Sequence, residues 1–307
     1  MKNKLIIVII AIFFLSLSII SCFGEIISDY MPTLFEYNTV KENCPSEKTI
    51  CSKFENQEEL NAYLANNPRK KFDAITLASY VVETTSNFGL IAYLSPLIMI
   101  LLVVFQIQDE ISSGYIKNML TRTSYKKILK KYILVAAKTA LLIPLMYAFI
   151  LLIASLITNF NFTEITTEMI PMPELATFKY NHFFTYSITL IGGLYLLHFA
   201  YSLIGIFMSF ISKNKVICTV LGYIYFIVLD LISMVFGAYV IRRLFRFEYG
   251  SNNYFNLVGH YWFFDDTTSP WISYLVVIGV ILINLLLIYI LAGRKEKAIN
   301  LYEKQVI

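Results

Sequence analysis

Charge is scarce in this chain. Only 15% of its 307 residues are Asp, Glu, Lys or Arg, against about 25% in an ordinary soluble domain. Hydrophobic residues make up 57%, above the roughly 45–50% of soluble proteins. A water-soluble globule is excluded, because the apolar excess needs lipid to cover it. Histidine is rare too: His182, His198 and His260 lie far apart, so no local metal motif is present. The four cysteines, Cys22, Cys44, Cys51 and Cys218, include no C-x-x-C pair. No G-x-x-x-x-G-K-[ST] occurs, so the sequence holds no phosphate-cradling loop. H-E-x-x-H and G-x-S-x-G are also missing, which leaves an enzyme reading little to stand on. The net charge of +4 gives no argument for nucleic acid as a partner.

What the chain has is long apolar runs. A helix rises about 1.5 Å per residue, so about 20 apolar residues cross a hydrocarbon core ~30 Å thick. Six segments qualify: 5–23, 87–106, 132–157, 183–211, 216–240 and 271–293. Each should be a helix, since lipid offers no partner for open backbone groups. The expected fold class is therefore an all-α membrane protein with six transmembrane helices. Pro96 and Pro144 fall inside spans and predict kinks.

Lysine and arginine set the orientation, because short cytoplasmic loops concentrate them. Lys2 and Lys4 precede the first span. Lys117, Arg122, Lys126, Lys127, Lys130 and Lys131 fill 107–131, Lys213 and Lys215 the next turn, and Arg294, Lys295, Lys297 and Lys304 the tail. With six spans, all four groups lie on one side, so both termini are expected in the cytoplasm. Arg242, Arg243 and Arg246 on the other side are a local exception. A second reading takes residues 1–21 as a lipoprotein signal cleaved before Cys22; it leaves the topology of the later spans unchanged.

The largest external piece is 24–86, expected to form a small loop domain against the outer ends of the spans. Ser52-Lys53-Phe54-Glu55 reads as a capping box opening a short helix. Cys44 and Cys51 lie here on the oxidising side as a candidate disulfide, with two unpaired thiols as the alternative. In the 241–270 loop, Tyr261-Trp262-Phe263-Phe264 fits an interfacial belt or a re-entrant helix equally well.

The most informative stretch runs from Asp109 to Tyr132. Ile116, Met119 and Leu120 are spaced to share a helical face, rimmed by Lys117, Asn118 and Thr121. Gly114 lets the chain bend as it leaves the membrane, and Thr123-Ser124 can cap the next helix. An apolar knob with a charged rim fits a groove on a cytosolic partner. A basic loop resting on anionic headgroups is the other reading of the same residues.

This stretch resembles the loop after the second span of ABC-2-type transporter permeases. Glu110, Gly114, Lys117, Asn118, Leu120, Arg122 and Lys138 fall on that family's pattern, while Tyr115 stands where Thr or Ser is usual. The resemblance extends to six spans, internal termini, a sizeable loop after the first span and an aromatic loop before the last. It implies a coupling helix seated in a separate ATPase subunit, with Glu110 and Gly114 setting the loop geometry and Lys117, Leu120 and Arg122 touching that subunit. It further implies a second permease chain, identical or a sister, and export driven by ATP and Mg that bind only to the partner. Antimicrobial peptides or drugs are among the cargoes of the family. The alternative from another class is a non-transporting immunity or sensor-associated protein that binds a ligand through 24–86.

His198 and Asp230 are the clearest ionisable residues deep in the spans, where such groups face a cavity or a partner. Each is about 20 Å from the inner end of its helix at ~1.5 Å per residue. The Lys213-Asn214-Lys215 turn makes their helices antiparallel neighbours. At matching depth the two are expected to pair, tying the helices together or lining a substrate path.

Overall fold

The computed structural model describes residues 9, 16, 86–113, 123–157, 183–241, 243, 257 and 270–306. Its elements are α1 (Ser86–Ser112), α2 (Tyr125–Thr139), α3 (Leu142–Ile157), α4 (Phe183–Ile211), α5 (Lys215–Val235) and α6 (Pro270–Val306). A π-helical turn, Phe236–Ile241, continues α5. Of the expected first span only Ile9 and Ser16 are described, both helical and exposed. The 24–86 piece with its capping box and the aromatic run 261–264 lie outside the described residues.

Among the described residues, five helices are long and apolar enough to cross a membrane: Ala92–Ile111, Tyr125–Ile157, Ser187–Ile211, Lys215–Val235 and Ser273–Arg294. The chain is a multi-pass membrane protein in these helices. The surface agrees with that, since Leu145, Leu156, Ile188, Leu231, Leu275 and Leu286 all stand exposed. Contiguous apolar surface of this kind has no place in water.

Two proline sites show how the spans manage a missing N–H. Pro96 sits within a continuous α1. Proline cannot donate to the carbonyl four residues back, and here Ser95 Oγ donates to that Ala92 carbonyl at 3.1 Å instead. At Pro144 the outcome differs, because the third span divides. Helix α2 ends at Thr139, and α3 restarts at Leu142 with Pro144 in its first turn, where an absent donor costs nothing. Leu145 N–H bonds Leu141 O at 3.0 Å, and the chain then continues as helix.

The chain divides into two compact units, one of residues 1–14, 89–149 and 166–307, the other of residues 15–88 and 150–165. In the second, Ser155 Oγ donates to Leu151 O at 2.7 Å, a common way to hold a serine inside an apolar helix. The first is organised around α4, the most enclosed of the five spans. Its Leu190, Leu194, Leu197, Tyr201, Ile204 and Met208 are buried, and it contacts α6, α5 and α2. Tyr274 Oη donates to Thr189 O, which brings the beginnings of α4 and α6 side by side. Helix α5 buries only the stripe Cys218, Thr219, Gly222 and Phe226.

Two glycines bring α1 close. A Cβ on Gly205 of α4 would lie 3.0 Å from Ile100 O and 3.0 Å from Val103 Cβ. A Cβ on Gly222 of α5 would lie 2.8 Å from Ile100 Cγ2. Ile100 is thus held between two positions where only hydrogen fits, the small-residue contact common between membrane helices.

Candidate functional site

The polar end of α1 reaches in two directions. Phe105, Gln108 and Asp109 are three and four residues apart and share one face; Gln106 and Glu110 share another. The first face meets the turn between α4 and α5. Gln108 Nε2 donates to Ser212 O at 2.6 Å. Asp109 Oδ1 lies 2.6 Å from Lys215 Nζ, which also stands 5.2 Å from the Phe105 ring centroid. The second face meets α2. Gln106 Nε2 donates to Thr139 Oγ1 at 3.1 Å, and Lys131 Nζ donates to both Glu110 oxygens at 2.8 Å.

These contacts place the end of α1 against α2 from Lys131 to Thr139 and against the turn between α4 and α5. The turn itself is well built: Asn214 Oδ1 accepts from Val216 N–H at 2.9 Å and Ile217 N–H at 3.3 Å, capping α5. At the start of α2 the Ser124 side chain makes no cap hydrogen bond. Ser124 holds the N-cap position with extended backbone, and its carbonyl accepts from Lys127 N–H at 2.9 Å.

The stretch expected as a loop over 107–131 is helical at both of its ends. Helix α1 continues through Ser112 and α2 begins at Tyr125, so both flanks of the stretch are helical. Glu110 belongs to helix rather than loop, and its ion pair with Lys131 closes the neck from which residues 113–124 leave. Both carboxylates are partly solvated, with Glu110 and Asp109 side chains 31% and 47% exposed. Such pairs are worth about 0–1 kcal/mol each. Gly114, Lys117, Leu120 and Arg122 lie outside the described residues, as do Cys22, Cys44 and Cys51.

Deeper in the helices, His198 is fully buried. Its Nδ1 is 2.6 Å from Leu194 O; a carbonyl only accepts, so this nitrogen carries the proton. Asp230 turns elsewhere, with Oδ1 accepting from Leu257 N–H at 2.6 Å. Tyr201 Oη donates to Leu257 O at 3.1 Å, and the His198 ring meets Tyr201 edge-on at 5.5 Å. The two ionisable residues expected to pair are thus connected through Tyr201 and the backbone of Leu257, which is itself buried. A second polar contact joins α5 to α6, where Tyr225 Oη donates to Asn284 Oδ1 at 3.2 Å.

Sequence reasoning missed Lys131, Lys215 and Gln108 as partners of the α1 end. Their signal was present in the charge pattern, since Asp109 and Glu110 are the only acids beside a strongly basic loop. Among the described residues no cluster of three or more His, Cys, Asp or Glu could hold a metal ion. Comparison with known protein families, with curated proteins and with solved structures finds no match.

Proposed function

We propose that the chain is the membrane subunit of an ATP-driven exporter of the ABC-2 permease type. The observation that carries this reading is the base of the 113–124 segment. Two helices run to a neck closed by Glu110 and Lys131, and between them lies the Gly114, Lys117, Asn118, Leu120, Arg122 pattern that resembles the family's coupling loop. The neck sits where the described basic residues Lys131 and Lys215 gather, which supports a cytoplasmic placement of that end.

In this reading the loop seats in a cleft of a separate ATPase subunit through Lys117, Leu120 and Arg122. Two permease chains form the pathway between them. ATP and Mg bind to the partner, draw two ATPases together, and the loops pass that movement to the spans. His198, Tyr201, Asp230 and Leu257 form a polar link along the way, and the cargo belongs to the peptide or drug class the family exports.

The test is a mild-detergent purification of the tagged chain from its native cells, with co-purifying proteins identified by mass spectrometry. A P-loop ATPase at near one-to-one with the wild type, lost in a Gly114→Pro, Leu120→Asp double variant, is the expected result. A folded, intact wild-type chain that brings down no ATPase overturns the proposal.

A further inference from the structure

Asp230 brings a carboxylate into the membrane with no cation beside it. It lies within the Lys215–Val235 span, where such a group is costly and faces a cavity or a partner. Its partner is the neutral Leu257 N–H at 2.6 Å. Among the described residues the ion pairs are Asp109–Lys215 and Glu110–Lys131, so no lysine or arginine reaches Asp230. His198 does not supply the charge either, since its Nδ1 is turned to Leu194 O.

The place of Asp230 on α5 tells where its open side looks. Cys218, Gly222 and Phe226 belong to the stripe that α5 buries, and Asp230 follows at the same spacing of four, on the same face. Complete packing would cover a residue on that face. Asp230 is only half-buried, so a cleft opens on the inward side of α5, one turn beyond Phe226. Aromatic rings gather at that turn: Phe226 meets Tyr201 edge-on with centroids 5.0 Å apart and stacks with Tyr223 at 6.1 Å. Tyr201 Oη donates to the carbonyl of the same Leu257 whose N–H meets Asp230. A carbonyl has two lone pairs, so acceptor capacity remains beside the carboxylate.

We infer that Asp230 is the anionic centre of a binding site for an organic ammonium ion, a charged amine on an apolar or aromatic body. An ammonium has three N–H donors to place, and the two carboxylate oxygens with Leu257 O provide three acceptors. A bare metal cation such as Ca2+ takes about six to eight oxygens, more than this set offers. The neighbouring rings favour a cation as well. As a statement about cargo this rests on the exporter reading; the binding site itself requires no ATPase.

The test uses the full chain, with whatever co-purifies, in nanodiscs of uncharged phosphatidylcholine. The probe is dansylcadaverine, an aromatic body carrying a primary ammonium. Its N-acetyl derivative, with the same body and no charge, is the control. Fluorescence anisotropy, corrected for empty nanodiscs, reads binding. The wild type should bind the amine about tenfold more tightly than the acetyl form, the factor expected of one charge-assisted hydrogen bond. Asp230→Asn, which keeps an acceptor for Leu257 N–H, should lose that preference while still eluting as a folded protein. Asp230→Glu, which keeps the charge, should retain it. Equal binding of the two probes by the wild type overturns the inference, as does an undiminished preference in Asp230→Asn. Loss in Asp230→Glu as well as in Asp230→Asn would leave Asp230 a packing role alone and also overturns it. Equal binding beside a co-purified ATPase leaves the exporter reading in place, whereas amine-selective binding with no ATPase removes that reading and keeps the site.

Discussion

Alanine at Gly205 tests the α1–α4 contact directly. In a helix, glycine to alanine gains up to about 1 kcal/mol from backbone propensity. Here the new Cβ would lie 3.0 Å from Ile100 O and 3.0 Å from Val103 Cβ. Carbon–carbon contacts are optimal at ~3.5–4.0 Å, so α1 must give by a few tenths of an ångström. Neither obstructing atom can rotate away, since one is backbone and the other is a Cβ. The cost belongs in the upper part of the roughly 1–3 kcal/mol range for overpacking, and the net loss is about 1–2 kcal/mol. Gly279→Ala in α6 is the control, because nothing lies within 4 Å of its Cβ. Fluorescence-detected size exclusion after heating should place Gly205→Ala several degrees below Gly279→Ala, at about 2–4 °C per kcal/mol. Val103→Ala should fail to rescue Gly205→Ala, since the clashing Cβ remains. Ile100→Leu should rescue Gly222→Ala, because leucine lacks the Cγ2 that comes within 2.8 Å. Equal melting of Gly205→Ala and Gly279→Ala would refute the close-approach reasoning.

Three further outcomes are expected in the same assay. Ser95→Ala should cost about 1 kcal/mol in the wild type, where it strands the Ala92 carbonyl. It should be near neutral beside Pro96→Ala, which restores the helical N–H; equal costs in both backgrounds would sink the idea. Asp230→Leu should lose about 1–3 kcal/mol by leaving the buried Leu257 N–H unpaired, whereas Asp230→Asn keeps an acceptor and loses less. Identical stability of those two variants would count against the clamp. Tyr225→Phe should cost about 0.6 kcal/mol, the average of interhelical bonds in a membrane, and add nothing in an Asn284→Leu background.

Much of the helix order could be read from the sequence, and the departures follow a pattern. Hydropathy marks where lipid stops, not where a helix stops. The apolar run before Gln106 suggested an end near 106, yet α1 continues through the polar Gln106–Ser112 because nothing there breaks a helix. Helix α6 likewise runs to Val306, well past the apolar stretch. The Lys213-Asn214-Lys215 turn was legible because asparagine caps helices by a local mechanism. The partners of Asp230 were not. Residue counting fixes depth in a span but leaves rotation open, and the group that meets Asp230 comes from 27 positions along the chain. The ends of the charged pairs were hidden for the same reason. Asp109 and Glu110 look alike in sequence, but adjacent helical residues point about 100° apart, so one finds α5 and the other α2.

The serine beside Pro96 carries a consequence for how such a span could have come about. With Ser95 already present, a proline entering at 96 finds its displaced carbonyl satisfied. With alanine there, the same proline would leave a bare oxygen inside the bilayer. The two substitutions therefore have a preferred order of arrival, serine first, and an order of loss, proline first. A lineage holding proline without serine must have found another donor for Ala92.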